Sequence, residues 1–174
     1  MEGCSHTLEY LDIRCISHCV SVRHLRHYNS SPAILAQSRS TSIDLSKATR
    51  LKDVVFRVDS PKVDWIPMEL QSITPKHQDL RQISIHLPGR MIPLSADTDA
   101  RERMGETIYG QWLDFDRLLV QFWESRSILP RMVCLMPTEA ERAVRHFVGS
   151  ILPEATRSGI IDLLVGERLE DGTT

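Results

Sequence analysis

Long apolar runs are missing from this chain. Its densest stretches, Leu118-Leu119-Val120 and Ile160 to Val165, fall far short of the roughly 20 residues that a membrane-spanning helix needs. After Met1-Glu2-Gly3-Cys4 the polar residues His6, Glu9 and Asp12 interrupt any leader-like stretch, so no secretory signal is expected. An excess of one charge is also missing: 21 Lys and Arg stand against 23 Asp and Glu, a formal net charge of −2. That balance argues against a nucleic-acid-binding domain of the usual basic kind. With 8 Gly and 9 Pro in 174 residues, collagen-like and low-complexity classes are excluded. Four cysteines, Cys4, Cys15, Cys19 and Cys134, are too few to staple a chain of this length, and reduced thiols in the cytosol or nucleus are expected. The motifs of common enzymes are absent too: no G-x-S-x-G, no G-x-x-x-x-G-K-[ST], no G-x-G-x-x-G and no H-E-x-x-H occurs.

What is present suffices for a folded core. Hydrophobic residues make up 41% and charged residues 25%, in the range of ordinary globular domains. Four segments alternate with a period of two, as strands do. They are Leu11-Ile13-Cys15, Val54-Phe56-Val58, Ile83-Ile85-Leu87 and Met132-Cys134-Met136, the last bounded by Pro130 and Pro137. Between them lie helical patterns. Asp64 can cap a helix running to Ile73, with Pro67 in its first turn and Pro75 beyond its end. Ile108, Trp112, Phe115, Leu119 and Phe122 form a stripe at spacings of four and three. Thr138 and Glu141 have the spacing of a capping box for a helix that Pro153 closes. Its apolar face carries Ala143, Val144, Phe147, Val148, Ile151 and Leu152.

Alternating strands and helices imply parallel pairing through right-handed crossovers. A sheet covered by helices on both sides has strands that are apolar on both faces. Here the second face carries Asp12, Arg14, Arg57, Ser84 and His86, so helices are expected on one face only. The strands also begin with a recurring L-x-x-φ-x-φ unit, where φ is apolar. It reads Leu8-Leu11-Ile13, Leu51-Val54-Phe56, Leu80-Ile83-Ile85 and, in degenerate form, Leu129-Met132-Cys134. From Leu8 to Leu51, Leu80 and Leu129 the successive spacings are 43, 29 and 49 residues, of which only the second matches a leucine-rich repeat. The Asn/Cys position that ladders the turn of such repeats is missing. The expected fold is α/β, a short leucine-rich-repeat-like β-α solenoid with parallel strands. Four regions are expected: residues 1–28 as a strand unit with a His/Cys-rich segment, 29–46 as a Ser-rich loop or insertion, 47–166 as the β-α repeat domain, and 167–174 as a polar tail.

The segment Ile43 to Phe56, the pair Trp65-Ile66, the stretches Thr74-Pro75-Lys76-His77 and Leu80 to Ile85, and Trp112 to Val120 resemble a family of uncharacterised fungal proteins. That family is itself similar to the leucine-rich-repeat portions of F-box-like proteins. The resemblance spans about Ile43 to Val165 and implies a recognition role; no F-box motif is recognisable, so it does not extend to adaptor binding.

Several residue clusters have both a chemical and a plainer structural role open to them. Cys4, His6, Cys15, His18, Cys19, His24 and His27 include zinc-ligand types, but their order matches no finger or knuckle, and core cysteines with solvated histidines account for them. Arg14, Arg23 and Arg26 with little aromatic interleaving suggest a solvated segment. Asp114 and Asp116, two apart on a helix, diverge and read as polar surface. Trp112 and Trp123 fall nearly on one helical line, which is core geometry, with Trp123 a candidate exposed anchor. Cys134 with His86 or His146 is a candidate nucleophile-and-base set, and an apolar strand would blunt the thiol. The expected function is a non-enzymatic protein-recognition module without metal or cofactor, in which Val55, Arg57, Ser84, His86 and Val133 line a partly polar strand face for a protein partner. The alternatives are a small Cys/His-dependent enzyme and a fragment of a longer repeat protein. Arg57 and His86 are expected to be largely exposed neighbours, since burying an unpaired arginine is costly.

Overall fold

In the computed structural model, residues 8–16, 19–27, 45, 48–93, 99–126, 128 and 130–166 are described. Strand β1 (Leu8–Ile16) is followed by β2 (Cys19–His27), β3 (Asp53–Arg57), helix α1 (Trp65–Gln71), β4 (Gln82–Pro88), α2 (Ala100–Met104), α3 (Glu106–Arg126), β5 (Pro130–Leu135), α4 (Glu141–Ile151), α5 (Pro153–Arg157) and β6 (Asp162–Gly166). The six strands form one open sheet in the order β2-β1-β3-β4-β5-β6. Five of them, from β1 through β6, run parallel; β2 alone is antiparallel, at the edge beside β1. The chain is thus α/β with a mostly parallel sheet.

From β3 onward each new strand is added on the same side of its predecessor. Right-handed crossovers repeated in one direction place their connections on one face of the sheet. The burial pattern agrees. Val54, Phe56, Ile83, Ile85, Leu87, Met132 and Cys134 on the inward face share one core cluster with Ile66 and Leu70 of α1, Trp112, Phe115 and Leu119 of α3, and Val144, Phe147 and Val148 of α4. Val55 and Val133, on the opposite face, are buried but do not belong to that cluster.

The repeat unit has a structural counterpart. Leu11, Val54 and Ile83 lie side by side across the sheet, as do Ile13, Phe56 and Ile85. Leu8, Leu51 and Leu80 are buried as well, so the first three copies superpose residue for residue. The fourth does not. Met132 lies beside Ile85 and Cys134 beside Leu87, so that copy is displaced by two residues from the expected alignment, and Leu129, its leading residue, lies outside the described residues. Pro130 occupies the place beside Ile83; lacking an N–H, proline is tolerated at the first residue of a strand.

Helix ends depart from the expected caps. Asp64 is at the N-cap of α1 without a side-chain capping bond, and the helix stops at Gln71 rather than at Ile73. Thr138 does not cap α4: Thr138–Ala140 form a 3-10 turn and Ala140 is the N-cap. Pro153 follows α4 and at the same time opens α5, where its missing N–H is harmless. Buried polar groups do the fastening instead. Asp116 is not on a polar surface. It is buried, and its two carboxylate oxygens accept the N–H groups of Glu154 (2.7 Å) and Ala155 (2.9 Å) at the start of α5, while Asp114 is exposed and paired with Arg117. The Trp112 indole donates to the Pro61 carbonyl (2.8 Å), and the Tyr109 hydroxyl to that of Ser150 (3.1 Å). Trp123 packs partly buried against the core and is no exposed anchor.

His77 and Ser72 tie down the chain ahead of β3. The His77 ring bonds through Nε2 to the Leu45 carbonyl (2.8 Å), while its Nδ1 accepts the Thr74 N–H (3.0 Å). The Ser72 hydroxyl accepts the Leu45 N–H (3.3 Å) and donates to the Glu69 carbonyl (2.7 Å). Both backbone groups of a buried residue are thereby satisfied across 27 and 32 positions of sequence.

These contacts rank substitutions. Phe147, almost wholly enclosed on α4, should cost about 3–5 kcal/mol on replacement by Ala. Arg145, exposed and bonded only to Glu141 one turn away, should cost less than about 0.5 kcal/mol. Asp116→Ala, which takes the acceptor from two N–H groups at the start of α5, that of Ala155 buried, should cost about 1–3 kcal/mol, against a negligible loss for Asp114→Ala. Urea unfolding of the four variants reads all of these values, and equal losses within either pair would contradict the helix faces.

Candidate functional site: the open face of the sheet

Side chains alternate across a strand, so the parallel registers fix two rows on the face away from the helices. The first row runs Asp12, Val55, Ser84, Arg131, Asp162, and the second runs Arg57, His86, Val133, Leu164. All five residues expected to form a recognition surface therefore share this face, on adjacent strands. Their exposure differs from expectation. Val55, Ser84 and Val133 are buried, and Arg57 and His86 are half-buried rather than largely exposed.

The reason lies in Asp12, which the alternation had placed on this face without giving it a partner. The Arg57 Nε lies 2.9 and 2.8 Å from the two carboxylate oxygens of Asp12. Asp12 itself is buried. The arginine side chain thus reaches from its own row to the row of Val55, and the acidic partner that burial demands is supplied from the neighbouring strand. On its other side, Arg57 Nη1 lies 3.4 Å from His86 Nδ1. A guanidinium can only donate, so this nitrogen of His86 must accept, and the imidazole is neutral with its proton on Nε2. Burial pushes His86 down to about 4, and the positive charge of Arg57 acts in the same direction. Further along the first row Arg131 Nε donates to Asp162 (2.7 Å). Among the described side chains of this face, Arg57 and Arg131 are each paired with an aspartate of the same face.

This arrangement has limited chemistry. A general base works best when poised near the operating pH, and a histidine held at about 4 is far too weak. Cys134 faces the other way. It pairs with Leu87 on the helix-covered side, whereas His86 pairs with Val133 on the open side, so the sheet itself separates the two. Burial pushes the Cys134 thiol up to about 12, and His146 is exposed on α4. The Cys/His combination is not assembled. Among the described residues, no three His, Cys, Asp or Glu side chains cluster as metal ligands would. Of the N-terminal candidates, Cys4 and His6 lie outside the described residues, as do His18 and the side chains of Cys15, Cys19, His24 and His27. The segment expected as a Ser-rich loop and the tail 167–174 also lie outside them, except for Leu45. No described helix is long and apolar enough to cross a membrane.

The chain matches no family model, no curated protein and no solved structure.

Two measurements follow from the titrations. The folded protein resists protonating His86, while the unfolded chain takes up that proton near 6.5. Lowering the pH from 6.5 toward 4 therefore costs stability. His86→Gln should flatten the decline between pH 6.5 and the carboxylate range; parallel curves for the two proteins would contradict the neutral, half-buried imidazole. Cys134 should react slowly with a thiol reagent in the folded state and rapidly after denaturation, as read at that residue by peptide mass spectrometry. Equal rates would contradict its burial.

Proposed function

We propose that this chain is a non-enzymatic protein-recognition module, a short leucine-rich-repeat-like solenoid of an intracellular protein that offers its open strand face to a protein partner. The observation that carries the reading is the placement of Val55, Arg57, Ser84, His86 and Val133 on one face of a parallel sheet, opposite the side where the core cluster gathers the helices. The three superposed L-x-x-φ-x-φ units support the solenoid comparison, since each strand enters the sheet through the same buried leucine step. The likeness to the repeat portions of F-box-like proteins points the same way.

The physical case rests on what the face would offer. A sheet holds its side chains rigidly, so little conformational entropy is lost when they are contacted. Leu164 supplies exposed apolar area above the buried Val55 and Val133, while Arg57, His86 and Arg131 supply directed donors, the two arginine charges being neutralised by Asp12 and Asp162. Such a surface suits a protein surface of mixed polarity better than a polyanion, which needs uncompensated cations.

A photo-crosslinking residue at position 86 tests this reading, with one at Arg117, exposed on α3, as the control. A discrete adduct to one protein is expected from position 86 and not from position 117, and it should weaken when Ser84→Arg is added to crowd the face. Equal adducts from both positions, or none from position 86, would overturn the proposal.

A further inference from the structure

The two edges of the sheet are built differently. At one edge, β2 carries Arg23, His24, Arg26 and His27, and its pairing with β1 contains two register shifts. Basic residues and bulges are the devices by which proteins keep an edge strand from pairing with another chain. At the other edge, β6 reads Asp162-Leu163-Leu164-Val165-Gly166. It has no proline, no basic residue and no register shift against β5. Its one charge, Asp162, points back to Arg131 within the sheet. Leu163 and Val165 pack only partly buried against the core. Leu164 is 38% exposed, and it and Met68 are the exposed large hydrophobic residues among the described ones.

We infer that β6 is a docking edge and that its occupant is a second copy of this chain, paired antiparallel about Leu164. The strand is complementary to itself in that register. Overlap of all five residues sets Leu164 against Leu164, Leu163 against Val165, and Asp162 against Gly166. On the helix side the two half-covered apolar residues meet their counterparts and extend the core across the two-fold axis. On the open side the exposed leucines cover each other. The acidic residue meets a glycine, so no like charges are opposed, as directly paired side chains require. The outward N–H and C=O groups of β6, which pair with no other strand among the described residues, also gain partners. An isologous pair of this kind closes on itself. A head-to-tail contact of β6 with β2 would instead meet a bulged, basic strand and leave edges free for further growth. The joined sheets would form one continuous open face carrying two copies of the Arg57 and His86 rows, a consequence that is independent of what that face binds.

Sedimentation of the full chain over a range of concentrations tests the inference, with Leu164→Lys and Met68→Lys compared. Both substitutions remove an exposed hydrophobic side chain, and far-UV circular dichroism with thermal unfolding confirms that each variant is folded. The wild type and Met68→Lys should pass from the 19.9 kDa monomer to twice that mass as concentration rises. Leu164→Lys, which opposes two lysines at the axis, should dissociate at least about tenfold more readily. A wild type that stays monomeric, a dimer indifferent to Leu164→Lys, or one equally weakened by Met68→Lys would overturn the proposal.

Discussion

A parallel sheet whose strands follow one another in chain order has to return over the same side each time, because the crossover keeps one hand. In this chain that constraint separates two chemistries. The inward row of each strand meets helices and is uniformly apolar, from Leu11 through Met132. The outward row meets none of the clustered helical core and holds charged residues. The charged residues are not left to solvent alone, however. Asp12 comes from the first strand to meet Arg57 of the next parallel strand, and Arg57 in turn donates toward His86. One arginine therefore ties three strands together on the side away from the helices.

Much of this organisation was legible in the sequence, and the exceptions share a cause. The alternation of Val54, Phe56 and Val58, or of Ile83, Ile85 and Leu87, is a local signal, and the strands lie where it places them. The stripe from Ile108 to Phe122 and the apolar face of α4 are local in the same sense. What was missed depends on residues far apart in the chain. β2 alternates weakly through Arg23, His24 and Arg26, and it is a strand because β1 offers it an edge. The pairing of Asp12 with Arg57 spans 45 residues; both had been placed on the outer face, but nothing in the alternation says that they meet.

Asp116 was misread although a signal existed. It lies four residues after Trp112 and three before Leu119, inside the buried stripe of α3, so helical periodicity points it inward. A carboxylate at such a position needs donors, and α5 provides them through two main-chain N–H groups. The fourth copy of the repeat was aligned on Leu129 by its leucine spacing, whereas the ladder aligns Met132 with Ile85. Pairing with β4, not the leucine, fixes where that strand sits. His77 and Ser72, which clamp Leu45 from both sides, left no local trace, because their partner is a backbone group rather than a patterned side chain.

Among the described residues, the helices gather in the core cluster on one face of the sheet and leave the other face without a helix of its own. Methyl spectra recorded with and without a soluble paramagnetic chelate test this central claim most directly, because the broadening falls off with distance from solvent. Leu164, 38% exposed on the outward face, should broaden strongly, and Val55 and Val133, buried there but outside the core cluster, should broaden more than Val54 on the inward face and Val144 on α4, both in that cluster. Equal protection of all four valines would mean that a second layer covers the open face, and the account would be wrong.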